Sequence, residues 1–415
     1  MYILPGHVTY YEDKGIIYVT SKLHQNTIKL FEPDIVEEFW SVIRCGGCSE
    51  ITTPLCGFLH EQEFLVNEEE IEKSIAELRK VMENSLFLTI MPTEGCNFRC
   101  SYCYEDHVPI SMRRKTLDQI HAYIIEQAPC FRRINISWFG GEPTLCKDVI
   151  LETSALMQSL QEKHHFQYTS SMTTNGYLLK CDDFKKYYHA GITAYQITLD
   201  GWDHDKTRPH VSGKGTLQTI IDNLVQISAL SREEYQFHIT IRHNILPGDE
   251  EYSWYDYLYS LFGNDNRFSM VVRSVCNWGG ESVRSLKLLE GNSCKTLIRR
   301  HFEYLQSIGM QCGNEKKGPL SQICYASYPH SMVFRSNGKI EKCTVCLDHP
   351  KNCLGYVDSE KGVVLYDDIN RLWTTSKLMP KCYHCSDILS CLNMQCPAHQ
   401  IIHSADALEC SDCPD

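Results

Sequence analysis

The sequence has little that would place the chain in a membrane or on nucleic acid. No apolar run approaches the roughly 18–20 residues that a membrane-spanning helix needs, and residues 1–7 have neither the basic region nor the apolar stretch of a secretory signal. The formal net charge is −12, so no excess of Lys and Arg is available to displace counterions from phosphates. We therefore expect a cytoplasmic globular protein with no membrane partner and no nucleic-acid partner.

Cysteine, by contrast, is abundant. The chain has 22 cysteines, which include a compact group at Cys96, Cys100 and Cys103 and a long series from Cys324 to Cys413. The cytosol keeps thiols reduced, so this number favours metal binding or redox catalysis over a disulfide framework.

The first region, residues 1–84, is predicted to be a small winged-helix-like module. Residues 8–30 alternate in the manner of a strand hairpin, and Pro33 opens an amphipathic helix. Asn67 and Glu70 have the spacing of a capping pair at the start of a second helix.

The second region, residues 85–290, alternates apolar strands with helices. The predicted buried strands cover 86–91, 134–139, 167–173, 192–199, 236–242 and 268–275. Six βα units indicate a barrel-like α/β fold, shorter than the eight units of a full barrel. Beyond residue 290 the alternation fades into cysteines, turns and short strands, so residues 291–415 are predicted to form a third domain.

The most specific motif is Cys96-Asn-Phe-Arg-Cys100-Ser-Tyr-Cys103, directly after the first predicted strand. Three thiolates in one loop can hold three irons of a [4Fe–4S] cube and leave the fourth iron open. A structural zinc site would need a fourth protein ligand nearby. This motif resembles the radical S-adenosylmethionine (radical SAM) superfamily. The resemblance implies a partial (β/α)6 barrel in which these three cysteines hold the catalytic cluster that cleaves SAM.

The loops after the later strands extend the resemblance. Gly140-Gly141-Glu142-Pro143 is similar to the superfamily motif that binds the methionyl amino group, and a Glu142 carboxylate can pair with an ammonium. The resemblance implies a SAM-binding set of Tyr102, Gly140, Gly141, Glu142, Thr174, Asn175, Arg208 and Asn244. In that set Thr174 and Asn175 are expected near the ribose and Asn244 near the adenine. Arg208 is expected on the SAM carboxylate, which its guanidinium fits in a bidentate manner. Taken singly, each loop is equally an ordinary turn, and Arg208 is equally an exposed surface residue.

The C-terminal cysteines resemble the SPASM extension of radical SAM enzymes, which binds two auxiliary [4Fe–4S] clusters. The resemblance assigns Cys324, Cys343 and Cys396 to the first cluster, and Cys382, Cys385, Cys391 and either Cys410 or Cys413 to the second. The first cluster then lacks one protein ligand, which Cys346, Cys312 or a substrate thiol would supply. Four residues separate Cys391 from Cys396, where the family usually has three. A zinc ribbon is the alternative for the 382–396 group.

Many SPASM enzymes modify ribosomally made peptides (RiPPs). The resemblance therefore implies a precursor peptide with a leader and a cysteine-containing core as partner, residues 1–84 as a RiPP recognition element, and a flavodoxin or ferredoxin as reductant. Thr344 follows Cys343 where the sulfatase-maturing, formylglycine-forming branch has an aspartate, so a thioether to a non-α carbon, as in ranthipeptide or freyrasin maturation, is favoured. The alternatives are formylglycine formation, an α-carbon thioether, a carbon–carbon crosslink, and an iron–sulfur electron-transfer protein without SAM chemistry.

Overall fold

The structure is a computed structural model of the chain. It describes residues 2–5, 8–21, 26–278, 280, 282–289, 291–312, 319–320, 323–375, 378, 382, 385, 388–394, 396–398 and 401. The chain divides into two compact units, which are described separately below. The first unit contains Met1–Glu83, Lys316–Pro329 and Arg371–Asp415, and the second contains Asn84–Glu315 and His330–Asn370. The segment 291–415, predicted as one domain, thus contributes to both units.

The first unit begins with a small α+β arrangement. Its elements are β1 (Tyr2–Ile3), β2 (Val8–Asp13), β3 (Ile16–Ser21), β4 (Asn26–Leu30), α1 (Pro33–Arg44), α2 (Pro54–Glu61), β5 (Val66–Asn67) and α3 (Glu68–Glu83). The predicted hairpin is present, with β2 antiparallel to β3 and β3 antiparallel to β4. The predicted capping pair is also present, because the Asn67 N–H donates to Glu70 Oε2 and the Glu70 N–H donates to Asn67 Oδ1, each at 2.9 Å. Ile17, Val19 and Phe39 are fully buried at its core.

The second unit carries the repeated strand–helix units. They are β6 (Ser85–Ile90), α4 (Arg114–Gln127), β7 (Arg133–Trp138), α5 (Lys147–His164), β8 (Gln167–Thr174), α6 (Cys181–His189), β9 (Ile192–Thr198), α7 (His204–Thr207), α8 (Leu217–Ser228), β10 (His238–Ile245), α9 (Ser253–Phe262), β11 (Phe268–Ser274) and α10 (Gly291–Ser307). Strands β6 to β11 are all parallel and lie side by side in chain order, which confirms the α/β fold. Their carboxyl ends therefore meet at one edge, where a barrel-type sheet places its active site.

The later elements extend from residue 330 to residue 391. They are β12 (His330–Phe334), β13 (Lys339–Glu341), β14 (Cys353–Asp358), β15 (Gly362–Leu365), α11 (Asp367–Thr374) and α12 (Ile388–Cys391). Strand β12 pairs in parallel with β6, and β13 to β15 continue as an antiparallel meander, so one sheet has ten strands. The hydrogen-bonding edge of β6 away from β7 is thus covered by a strand that lies more than 200 residues later.

Helix α10 was also not expected, because the strand–helix pattern was predicted to fade at residue 290. Its buried side chains, Leu297, His301 and Leu305, are four residues apart and pack toward β11. A histidine in the middle of the apolar stripe weakens the periodic signal. None of the described helices is both long enough and apolar enough to cross a membrane.

Candidate active site

Three thiols line one cleft at the carboxyl ends of the parallel strands. Cys96, Cys100 and Cys103 lie on the loop after β6 and border a cleft of about 340 Å³ in the second unit. Phe98, a residue of this loop, anchors it by placing a fully buried ring in the hydrophobic core. Its backbone is held by the segment after β9, because the N–H of Ser101 donates to the carbonyl of Thr207 at 2.8 Å. The structure thus brings the predicted cysteine group together at the predicted edge.

Burial makes these thiols harder to ionise. Burial raises the pKa of Cys96 to about 12, and burial also raises the pKa values of Cys100 and Cys103. The Glu105 carboxylate adds to the rise at Cys103, whereas Arg208 opposes it at Cys100. Without a bound cation the three groups are therefore held as neutral thiols. Metal coordination supplies the positive charge that stabilises thiolates.

The donor set fits a cluster better than a single ion. In the part of the chain that the structure describes, no three Cys, His, Asp or Glu side chains are close enough to share one metal ion. A [4Fe–4S] cube takes one thiolate on each iron, so its ligands need not converge on one point.

Gly140 and Gly141, after β7, pack against the backbone that leads into the cysteine loop. The backbone φ of Gly140 is +121°, and a Cβ atom there would lie 2.4 Å from the Thr93 carbonyl oxygen. A Cβ on Gly141 would lie 2.3 Å from the Gly95 carbonyl oxygen. The N–H of Glu142 donates to the same Gly95 carbonyl at 3.0 Å. These glycines allow the close approach that positions the loop before Cys96.

Both carboxylate oxygens of Glu142 accept hydrogen bonds from nearby residues. Its Oε1 accepts from Thr144 N (3.1 Å), Thr144 Oγ1 (2.5 Å) and Thr174 Oγ1 (2.6 Å), and its Oε2 accepts from Asn175 N (2.7 Å). Burial raises the pKa of Glu142, and these four hydrogen bonds oppose the rise. The observed contacts make this carboxylate the link between the loops after β7 and β8. Its pairing with an ammonium stays a prediction.

A hydrogen-bonded network joins Tyr102 to Asp200, Arg208 and Asn244. The Tyr102 hydroxyl donates to Asp200 Oδ2 and accepts from Arg208 Nη1 at 2.8 Å and from Asn244 Nδ2 at 3.0 Å. Asp200 Oδ1 also accepts from the Asn244 N–H at 3.1 Å. Asp200 was not among the predicted site residues. Its position at the end of β9 was the available signal, and its link to Tyr102 spans 98 residues of sequence.

Arg208 is buried, which contradicts the surface-residue alternative. Its exposed fraction is 8%, and its guanidinium lies 5.8 Å from the ring centroid of Phe98. Its Nε atom is buried without a hydrogen-bond partner. One donor of this cation is therefore available to an acidic group in the cleft.

Seven of the eight predicted SAM-binding residues line the cleft. They are Tyr102, Gly140, Gly141, Thr174, Asn175, Arg208 and Asn244. Glu142 lies behind them, in contact with Thr174 and Asn175.

The predicted auxiliary-cluster cysteines are divided between the units. In the second unit Cys343 and Cys346 are buried with their thiols in contact, and Thr344 and Val345 between them line the cleft. The Asn352 side chain fixes this loop by donating to the carbonyls of Cys343 and Cys346, each at 2.9 Å.

The remaining predicted ligands lie elsewhere. Cys324, Cys382, Cys385, Cys391 and Cys396 belong to the first unit, and Cys312 follows α10 in the second. Cys410 and Cys413 lie outside the described residues.

Comparison with known proteins identifies the segment that carries the cleft. Residues 90–255 match the family model of the Radical SAM superfamily. This segment is therefore similar to the domain that radical SAM proteins share. A GTP 3′,8-cyclase of Stenotrophomonas maltophilia is 30% identical over 219 residues, which are 52% of this chain and 58% of that protein. A GTP 3′,8-cyclase of Tolumonas auensis is 30% identical over 143 residues, which are 33% of this chain and 39% of that protein. The chain thus spans about half the length of these relatives.

Solved structures extend the fold similarity beyond the radical SAM domain. Native anSMEcpe with bound AdoMet has a TM-score of 0.55 at 17% identity, covering 78% of this chain and 92% of that one. The same protein with AdoMet and Cp18Cys peptide has a TM-score of 0.54 at 17% identity, with the same coverage. At this identity the similarity shows a shared fold.

Proposed function

We propose that this chain is a radical SAM enzyme that modifies a precursor peptide by joining a cysteine sulfur to a non-α carbon. The observation that carries the proposal is the single cleft that contains Cys96, Cys100, Cys103, a buried arginine with a spare donor, and the strand-end residues expected to bind SAM. A [4Fe–4S] cluster held by these thiols supplies the electron that splits SAM into methionine and a 5′-deoxyadenosyl radical, which removes hydrogen from a substrate carbon.

The residues of the cleft have separate tasks in this proposal. Arg208 binds the SAM carboxylate through its spare Nε donor, and the Gly140-Gly141-Glu142-Pro143 loop receives the methionyl amine. Thr174 and Asn175 orient the ribose, and Asn244 orients the adenine. Tyr102 and Asp200 keep Arg208 and Asn244 in place through their shared hydrogen bonds. The burial of this network keeps water away from the radical.

A peptide substrate is supported by two features. Native anSMEcpe, which shares the fold, has been solved with a bound peptide. The sheet of the first unit, in the order β2-β3-β4, ends in the exposed strand β2, to which an extended leader can add as a further strand. In the proposal, residues 1–84 act as the recognition element.

The thioether is supported by the loop at Cys343. Thr344 lines the cleft where the formylglycine-forming branch has its aspartate, so no base is available from that position. The reaction balances without a net electron: SAM, a thiol and a C–H group give a thioether, methionine, 5′-deoxyadenosine and a proton. Flavodoxin or ferredoxin provides the electron that starts SAM cleavage, and an auxiliary cluster would accept the electron released when the S–C bond forms. The proposal includes two auxiliary clusters on the C-terminal cysteines, for a total of three.

The cluster assignment is tested by metal analysis after anaerobic reconstitution. We expect about twelve irons per chain, and about eight with no SAM cleavage after Cys96, Cys100 and Cys103 are changed together to Ala. The matched control changes Cys45, Cys130 and Cys181, which do not line the cleft, together to Ala. This variant should retain both the full iron content and SAM cleavage. SAM cleavage by the first triple variant would refute the catalytic assignment.

The product is tested by mass spectrometry of a co-expressed precursor peptide. A thioether lowers the mass by about 2 Da per crosslink, protects the cysteine from alkylation, and moves deuterium from the acceptor carbon into 5′-deoxyadenosine. A carbonyl-reactive product that has lost its sulfur would instead show formylglycine formation. Production of 5′-deoxyadenosine that depends on GTP and not on peptide would favour a reaction like that of the cyclase relatives.

A further inference from the structure

A second cavity adjoins the cysteine-lined cleft. This cavity, here called the annex, has a volume of about 350 Å³ and includes Glu94, Asp106, Ile110, Arg335 and Lys339 in its lining. The annex and the cleft share five lining residues, Tyr104, Glu105, His107, Trp278 and Val345. A group that occupies the annex is therefore separated from the cleft by a single layer of side chains.

The two cations of the annex are already paired. The guanidinium of Arg335 donates through Nε to Glu94 Oε1 at 3.1 Å and through Nη2 to Glu94 Oε2 at 2.8 Å. Its Nη1 contacts Glu341 Oε1 at 3.2 Å and Asp348 Oδ2 at 2.8 Å. Lys339 is paired with the same Asp348. Three carboxylates thus share two cations, and neither cation remains to attract an acidic ligand.

Glu105 brings a further carboxyl group, whose pKa burial and the nearby Glu94 raise to about 7, and one of its oxygens has no partner. Its Oε2 atom is buried without a hydrogen-bond partner, and the residue borders both the annex and the cleft. Leaving a buried carboxylate oxygen unsatisfied is costly, so such an atom calls for an explanation. The neighbouring His107 does not compensate, because burial lowers its pKa and favours the neutral ring. Asp106, also in the lining, adds another negative charge.

Apolar side chains complete the annex. Val108, Ile110, Trp278 and Leu347 are part of its lining. An aliphatic stem with a cationic end matches both parts of this surface, because the stem covers apolar side chains while the charged end reaches an acceptor.

We propose that the annex binds a basic side chain, Lys or Arg, of the peptide substrate, and that Glu105 is the residue that accepts it. The inference rests on the proposed function, because it assumes that one peptide occupies both sites. The residue of that peptide that is modified lies in the cleft, and a neighbouring basic residue lies in the annex. Glu105 therefore determines specificity and positions the substrate.

The test measures binding without turnover. The reconstituted full chain is mixed with SAM but no reductant, and titrated with two fluorescently labelled peptides, Gly-Gly-Cys-Lys-Gly-Gly and the same sequence with norleucine in place of lysine. A charged hydrogen bond in a buried site predicts that wild type binds the lysine peptide about tenfold more tightly. The Glu105→Gln variant should bind both peptides equally. Glu162→Gln, at an exposed position of α5, should keep the full preference.

A second variant guards against an indirect effect on the cysteine loop. Ile110 lines the annex but not the cleft, so Ile110→Trp adds bulk at the annex without changing a residue of the cleft, and it should also weaken the preference. Equal affinity of wild type for the two peptides, or a preference that survives either variant at full strength, would overturn the proposal. SAM cleavage is assayed in parallel. If the preference for lysine depends on Glu105 but the protein does not cleave SAM, the annex site is supported and the proposed function is refuted.

Discussion

Replacing Arg335 tests the electrostatic link between the strand β12 hairpin and the loop that leads to Cys96. The side chain is buried, with an exposed fraction of 5%, and contacts Glu94, Glu341 and Asp348. Arg335→Met keeps much of the volume but removes the charge, so the buried Glu94 and Glu341 lose their cation. Breaking a buried ion pair from one side costs about 3–5 kcal/mol, and we expect the free energy of unfolding to fall by that amount.

The matched control is Arg114→Met. Arg114 also contacts two carboxylates, those of Asp118 and Glu152 at 2.8 Å, but its side chain is 62% exposed. Water screens exposed pairs, which therefore contribute little to stability, so this variant should stay close to wild type. The free energy of unfolding of both variants is measured by urea unfolding under anaerobic conditions, monitored by circular dichroism. Losses of similar size in the two variants would refute the reasoning.

The pH dependence of the Arg335 effect has a defined sign. Arg335 and Lys339 lower the pKa of Asp348, so the stabilisation from Asp348 is present at neutral pH and is lost as the pH falls through its folded pKa. Burial raises the pKa of Glu341 and Arg335 opposes the rise, so the variant raises it further. In the variant, the unpaired negative charge of buried Glu341 destabilises the folded state, and this destabilisation disappears when Glu341 is protonated. The difference between wild type and variant should therefore shrink from pH 7 to about 5, and a difference that grows would contradict this account.

Two further predictions concern Glu142 and strand β2. Glu142→Gln should lower the free energy of unfolding by about 1–3 kcal/mol. The NH2 group of the glutamine must face either the Thr144 N–H or the Asn175 N–H, and that N–H then has no acceptor. The control is Glu126→Gln at an exposed position, and an unchanged unfolding curve for Glu142→Gln would contradict the prediction. Tyr10→Pro and Tyr11→Pro, made separately, should differ, because neighbouring N–H groups of an edge strand point in opposite directions. The variant that loses the outward N–H should bind the precursor leader more weakly while keeping its fold, as measured by fluorescence anisotropy and circular dichroism. Unchanged leader affinity in both folded variants would argue against strand addition at β2.

Local patterns predicted the elements that they encode. Each of the six parallel strands overlaps a segment predicted from its own residues, and the start of α3 follows from the spacing of Asn67 and Glu70. The cysteine loop was equally accessible, because its three cysteines lie within eight residues of sequence. In each case the residues that interact are close in the chain.

The remaining features depend on distant residues. The pairing of β12 with β6 joins residues 330 and 86, and no local pattern specifies such a partner. Asp200 and Glu105 were missed for the same reason. Asp200 gains its role from Tyr102 and Asn244, and Glu105 from the cavities on either side of it. A single sequence shows that these are acidic residues, but not what surrounds them in the fold.

The position of β12 has a consequence for how the chain can be divided. The residues that match the family model end at 255, but the sheet to which they belong is completed only when residues 330–334 add beside β6. A fragment that stops before β12 would expose the backbone N–H and C=O groups along one side of β6, next to the loop with the three cysteines. Such an open strand is a template for pairing with another chain. During synthesis this side of β6 stays uncovered while more than 200 further residues are made, so the strand that leads to the cysteine loop must avoid pairing with other chains until β12 is available.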